Sequence, residues 1–205
     1  NYKIKDFFVD NANIELFNGE LFYNNFIIKE LPSYPGDFSK GYYYTNNDAI
    51  IFQPNTYYEL KINIDGKIIS GSTITPGDFE ILTPAPNSIV NIKDLQTENK
   101  LLIKWTKSST AWGYTGKIIK DYLIMLPDTS YYGSRELSFI TTDTSFVIEN
   151  ANILSSEGHL EISISAFDEN FYHHHIEMYP EAGVEGAYGY LGSSVLKSVN
   201  LSIIE

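Results

Sequence analysis

The chain has no cysteine, only one arginine (Arg135), two tryptophans and two methionines among 205 residues. Without cysteine there is no disulfide framework, no thiol nucleophile and no thiolate metal site, and the redox compartment stays open. Basic residues are scarce: 14 Lys and Arg face 26 Asp and Glu, a formal net charge of -12. Nucleic-acid binding needs Lys/Arg clusters that displace counterions from phosphates, and docking onto anionic lipid needs the same, so neither partner is expected. No apolar run approaches the roughly 18 residues that a membrane-spanning helix requires. Catalytic signatures are also missing: there is no Gly-x-Ser-x-Gly elbow, no His-Glu-x-x-His and no phosphate-binding Gly-rich loop. The first residue is Asn1 and no signal peptide precedes it, which suggests a mature or trimmed chain.

What is abundant points to strands. Hydrophobic residues make up 43% and aromatics 15%, the latter carried by 16 Tyr and 12 Phe, enough for a real core. Tyr, Phe and Ile favour strands, Asn favours turns, and the helix formers Ala, Leu and Met are under-used. The expected fold class is all-β, with the length of two small β-sandwich domains in tandem. Apolar-alternating runs at Asn1–Asp6 and Asn13–Phe17 begin the series, and Asn18-Gly19 turns the chain into Glu20–Tyr23. Phe26–Leu31, Tyr42–Thr45 and Ala49–Phe52 read as further strands around the loop Pro32–Gly41. In Tyr57–Ile64, Asp65-Gly66, Lys67–Ile74, the residues Tyr58, Leu60, Ile62 and Ile64 share one face, as a half-buried hairpin requires. Proline clusters at Thr75-Pro76-Gly77 and Thr83-Pro84-Ala85-Pro86 flank a junction near 77–86, dividing the chain into 1–78 and 79–205. Beyond it, Leu101/Ile103/Trp105, Tyr122/Ile124/Leu126, Phe146/Ile148, Leu160/Ile162/Ile164/Ala166 and Val199/Leu201/Ile203 mark strands, and no stretch shows a capped 3.6-residue stripe. Trp105 is expected between two sheets, beside Ile103, Tyr122, Ile148 and Ile164.

The second half resembles a fibronectin type III domain. The likeness is carried by the proline-rich entry Thr83–Pro86, by Leu101-Leu102-Ile103-Lys104-Trp105, and by Tyr122-Leu123-Ile124. It extends to Thr142–Ile148 as strand E and Ile162–Asp168 as strand F. The connection after strand F, residues 170–194, is far longer than in that family. The first half is similar to prealbumin-like or carboxypeptidase-regulatory-like sandwiches, through Asp10–Ile14 with Asn18-Gly19, Pro54-x-x-x-Tyr58-x-Leu60-x-Ile62 and Ile74-Thr75-Pro76. Together the halves resemble an uncharacterised family of Bacteroidetes cell-envelope lipoproteins that end in a Gly-rich aromatic motif, here Gly186–Ser193. The resemblance implies an extracellular, outer-membrane-associated location, with a lipid anchor upstream of Asn1, and no known reaction.

Candidate sites follow from side-chain chemistry. If Phe171–Glu177 is extended, His173, His175 and Glu177 project from one face and could hold Zn²⁺, against the alternative of a surface histidine run. Asp6, Asp10, Asn11, Asn13 and Asp168-Glu169-Asn170 offer oxygens for Ca²⁺, or simply form Asx-turns. His159 reads as a solvent-facing residue at a strand start. Trp112 and Tyr114 lie in the loop between the Trp105 and Tyr122 strands, at the same pole as the 170–194 connection. Trp112, Tyr114, Tyr172, Tyr188 and Tyr190 are thus expected to converge, either as packing between the domains or as a platform for an external ligand. The long connection is expected to be ordered and to fold back toward the junction. The functional expectation is a non-enzymatic cell-surface module that binds a protein or glycan. One alternative is an accessory glycan- or peptide-binding subunit of an outer-membrane uptake system; another is a metal-dependent hydrolase using His173–Glu177.

Overall fold

A computed structural model describes residues 11–30, 41–44, 51–98, 100–126, 129–149, 151–154 and 156–204. The expected strand Asn1–Asp6 and residues 32–40 of the expected loop lie outside them, as do residues 49–50 of the expected strand Ala49–Phe52, whose described part, Ile51 and Phe52, is not in a strand. In the first half, β1 (Asn13–Asn18), β2 (Glu20–Tyr23), β5 (Tyr57–Ile64) and β6 (Lys67–Ile74) form one antiparallel sheet, and β3 (Ile27–Glu30) pairs with β4 (Gly41–Tyr44). Both expected hairpins are present. In the second, Asp65 and Gly66 adopt φ of 50° and 83°, the paired positive angles of a two-residue turn whose twist matches its strands. The face of Tyr58, Ile14 and Leu16 is buried. Tyr58 anchors it: its ring meets Phe22 at 6.1 Å and Phe52 at 5.1 Å, while its hydroxyl accepts from the Gln53 amide at 2.8 Å. A phenol buries well only when its polar end finds such a partner.

The second half holds β7 (Ile81–Thr83), β8 (Ser88–Asn91), α1 (Ile92–Glu98), β9 (Leu101–Trp105), β10 (Gly113–Leu126), β11 (Thr129–Thr141), β12 (Ser145–Ile148), α2 (Ala151–Leu154) and β13 (Gly158–Phe167). Then come α3 (Glu169–His175), β14 (Glu181–Ala182), β15 (Val184–Glu185), β16 (Gly189–Tyr190) and β17 (Ser194–Ile204). One sheet has the order β12-β9-β7 and the other β11-β10-β13-β17-β8. That is the two-sheet arrangement of a fibronectin type III sandwich, with β12 and β13 in the places of strands E and F, as the sequence motifs imply. The fold is all-β, sandwich domains in tandem. Strand β15, from the long connection, adds to the free edge of β6 and completes the first sheet as β15-β6-β5-β1-β2.

Trp105 is 2% exposed and belongs to the same buried core as Ile103, Ile148 and Ile164. Its aromatic neighbours are Tyr114 at 5.3 Å and Phe139 at 6.4 Å. Tyr122 is not among them: β10 runs past the core, and the Tyr122 ring lies 5.0 Å from the Arg135 guanidinium. The short helices α1, α2 and α3, and the strand β11, were not foreseen. A helix of two turns or less carries too few residues to show a periodic stripe. Among the described residues no helix is long and apolar enough to cross a membrane.

One ionisable side chain lies wholly inside this sandwich. Lys120 sits on the inward row of β10 with Ile118 and is fully buried. Its Nζ donates to the Ile153 carbonyl at 2.7 Å and to the Ser156 carbonyl, tying the α2 turn to the sheet. Desolvation, reinforced by nearby Arg135, pushes its pKa down to about 8. The neutral amine keeps the N–H groups these two carbonyls need.

Two outcomes follow. Trp105→Ala should cost about 3–5 kcal/mol in a urea unfolding series, the usual loss on emptying a large aromatic core site. Lys120 gives a pH dependence of known sign. Between about pH 8 and the reference value of 10.5 the unfolded chain binds more protons at this site than the folded one, so its contribution to stability rises with pH. The urea midpoint of the parent chain, measured against Lys120→Met over that window, should climb relative to the variant. A constant difference would show that Lys120 titrates normally.

Candidate functional site

The junction between the two halves is braced on both sides. On one side the bracing group is Asp168, the residue that ends β13 and caps α3. Its carboxylate, 3% exposed, accepts from the Phe171 amide at 2.9 Å, from Ser193 Oγ at 3.3 Å and from Thr73 Oγ1. Thr73 belongs to β6 of the first sheet and Ser193 to the chain entering β17, so one buried carboxylate ties three segments. Such charge-assisted bonds are about twice as strong as neutral ones. Beside it, Asn170 Nδ2 donates to the Ser72 carbonyl at 2.6 Å and the Leu191 carbonyl at 2.7 Å, and the Ser72 amide donates to the Gly183 carbonyl at 2.8 Å. Gly183 has φ of 67°, and a Cβ there would stand 2.1 Å from Asn170 Nδ2, so only glycine fits.

On the other side the Trp112 loop is fastened to the end of β6. The Gly77 amide donates to the Ser109 carbonyl at 2.6 Å, and Ser108 Oγ returns a bond to the Gly77 carbonyl at 2.6 Å. Ser109 Oγ donates to Asn55 Oδ1 at 2.7 Å and Thr110 Oγ1 to the Thr75 carbonyl at 3.2 Å. Tyr114 supports this loop from beneath. It is 2% exposed, lies in the core rather than on the surface, and its hydroxyl accepts from the Ser108 amide at 2.8 Å.

Between the two braces opens a cleft of about 320 Å³, with Tyr57 of the first sheet and Trp112 of the second domain on its walls and Glu169 and Asn170 beside them. Tyr57 is 51% exposed and Trp112 45%. A second hollow of about 380 Å³ shares Tyr57 and Ser72 with the first and adds Glu59 and Glu185. Tyr57 is the residue sequence reading missed: the alternation that sends Tyr58 inward places Tyr57 on the opposite face.

The candidate aromatics occupy different layers. Trp112 is backed by Tyr172 at 5.6 Å and His173 at 5.5 Å. Tyr190 stacks on His174 at 4.4 Å and meets Phe171 at 6.5 Å, holding α3 against the Gly-rich segment. Tyr188 points to solvent, 85% exposed. The 170–194 connection is ordered over its whole length, as α3, β14, β15 and β16, and folds back onto the first sheet.

The histidine run requires a correction. Phe171–His175 is helical, because Asp168 caps it, Glu169 stands in its first turn and the histidines favour the negative C-terminal end of the helix dipole. Residues two apart on a helix do not share a face, so His173, His175 and Glu177 do not form the ligand set an extended strand would give. His173 instead lies between acids four residues away on each side: Nδ1 is 2.5 Å from Glu177 and Nε2 3.5 Å from Glu169. The Glu177 bond first, and Glu169 next, hold its pKa above the usual imidazole value. The residues offered for Ca²⁺ are spread over separate contacts. Asp6 and Asp10 lie outside the described residues, Asn11 donates to Asp65 at 3.0 Å, Asn13 donates to Glu15 at 3.4 Å, and Asp168 is the brace itself. Among the described residues no three His, Asp or Glu side chains converge to hold a metal ion. His159 is exposed at the start of β13, its Nε2 3.2 Å from Asn200 Oδ1.

No family model matches the chain, and no curated protein matches it. Among solved structures the chicken CNTN1 FN1–FN3 domains are similar at 12% identity, with a TM-score of 0.27, over 95% of this chain and 54% of that one. This chain thus spans about half the length of that structure.

Removing the brace should be costly. Asp168→Ala loses a helix cap, about 0.5–2 kcal/mol, together with buried charged hydrogen bonds worth about 1.5–3 kcal/mol. A fall of about 2–4 kcal/mol is expected in urea unfolding, with amide exchange faster along Ser72–Ile74 than in the second core. Unchanged exchange in β6 would mean that Asp168 acts within the second sandwich alone.

Proposed function

We propose that the chain is a non-enzymatic binding module that takes its ligand in the junction cleft, with the two sandwiches 1–78 and 79–205 as rigid walls. The observation that carries this reading is the pairing of half-exposed Tyr57 and Trp112, one from each half, across a single hollow whose two ends are fixed by hydrogen bonds. Large aromatics left uncovered beside a concavity are the usual anchors of recognition, since they offer much contact area at small entropic cost. The remaining aromatics support them: Tyr172 and His173 back Trp112, and Tyr190 with Phe171 steadies the helix that carries them. Display on a bacterial cell surface, anchored upstream of this segment, is the setting the sequence resemblance implies, and the acidic, well-solvated exterior suits it. As part of an outer-membrane uptake system the same cleft would serve as an accessory site for a glycan or peptide. The hydrolase alternative loses its geometry, because on α3 His175 does not share a face with His173, which is itself bonded to Glu177.

The test removes the two half-exposed aromatics of the cleft. On an array of oligosaccharides and short peptides, the parent chain should retain ligands that Tyr57→Ala/Trp112→Ala does not. Both side chains are half-exposed, so the double variant should remain folded with a loss of about 0.5–3 kcal/mol, and capture is compared well below its melting temperature. Equal capture by parent and variant would place recognition elsewhere.

A further inference from the structure

We propose that the junction groove recognises a peptide segment bearing lysine or arginine, held with one cationic side chain against Trp112 and Glu169 and a second near Glu185. The proposal rests on the cleft being the ligand site and adds the chemistry of what enters it. The two hollows share Tyr57 and Ser72 in their walls, so they lie side by side along one face of the junction. Their walls carry the carboxylates of Glu169, Glu59 and Glu185, with no lysine or arginine among the lining residues. Lys61, on the same strand as Glu59, is engaged: it pairs with Glu59 at 3.3 Å and lies 4.5 Å from the Phe17 ring centre. Glu169 and Glu185 therefore remain to meet a ligand. Glu169 keeps 55% of its side chain exposed and is shared only loosely with His173, at 3.5 Å.

An ammonium or guanidinium group beside an indole face and a carboxylate gains from both, because the ring quadrupole attracts cations. The net charge of -12 draws such a ligand in from beyond contact distance. Two acidic hollows separated by one aromatic ridge also fit an extended chain, whose same-face side chains recur about every 6.6–6.8 Å. A neutral saccharide could stack on Tyr57 and Trp112 and donate its hydroxyls to the two carboxylates, but it would leave their negative charge unbalanced, which a cationic side chain would not. The chemistry of the walls thus favours a basic peptide.

The experiment titrates tetralysine, tetraglutamate and cellotetraose into the full chain, read by Trp112 fluorescence and by calorimetry. Tetralysine should bind, weaken as salt rises from about 50 to 500 mM, and lose about tenfold or more in Glu169→Gln/Glu185→Gln and in Trp112→Ala. It should bind unchanged to Asp121→Asn/Glu161→Gln, which removes the same number of charges elsewhere, Asp121 lying at the far end of β10 opposite His159. Equal weakening in both double variants would reduce the effect to diffuse attraction and overturn the proposal. Cellotetraose quenching Trp112 without any tetralysine response would also overturn it, while leaving the cleft itself as the binding site. Silence from every probe would overturn the basic-peptide assignment, and the array comparison of Tyr57→Ala/Trp112→Ala would then decide the cleft independently.

Discussion

The buried carboxylate of Asp168 is the contact on which the rest of the arrangement hangs. It terminates the central strand of the second sandwich, starts a helix, and accepts hydrogen bonds from a threonine of the first sheet and a serine of the last strand. An anion taken out of water is destabilising unless its lone pairs are filled, and here three donors fill them. That requirement makes the junction specific: the first sheet must present Thr73, and the chain entering β17 must present Ser193, in one relative position. A purely apolar contact between the halves would allow sliding that this network forbids.

The long connection follows from the same constraint. A short hairpin between β13 and β17 would close the second sandwich and leave the β6 edge open, an invitation to strand pairing with another chain. Instead the connection spends its residues on a capped helix, a small parallel pair and one strand that covers that edge through Val184 and Glu185. Glycines sit where backbone must approach backbone, most clearly at Gly183 against Asn170 and Ser72. The aromatic wealth of this segment is therefore divided. Tyr190 and Phe171 hold it together, and Tyr172 with His173 backs Trp112 at the cleft. What the cleft offers a ligand is the part of this scaffold left uncovered.

Much of the framework is legible in the residues. Period-two alternation at Tyr58–Ile64, Asp65-Gly66 at a turn, the Trp105 strand and the E- and F-like runs all express local physics: side chains alternate across a strand, and few residues tolerate positive φ. The pole at which Trp112 meets the long connection follows from strand order alone. The segment Asp168–His175 was legible too, by a different rule: an aspartate followed by an acid and then by histidines reads as a helix cap with a favourable dipole, which overrides the extended reading of the histidine run.

Other features lie beyond any local pattern. Tyr57 becomes a wall of the cleft because a β6 partner, the Trp112 loop and α3 converge on it from positions far apart in the chain. Tyr114, expected in the loop between the Trp105 and Tyr122 strands, goes into the core of the second sandwich because β10 already begins at Gly113. Lys120 is buried because a short helix turn supplies carbonyls that no sequence rule attaches to it. By itself the sequence determined an all-β chain, its hairpins and its main core strand, since these depend on neighbours within a few residues. Only the tertiary structure decided which polar groups are spent on bracing and which stay exposed along the cleft, because a hydrogen bond is allotted by distance in space, not by distance along the chain.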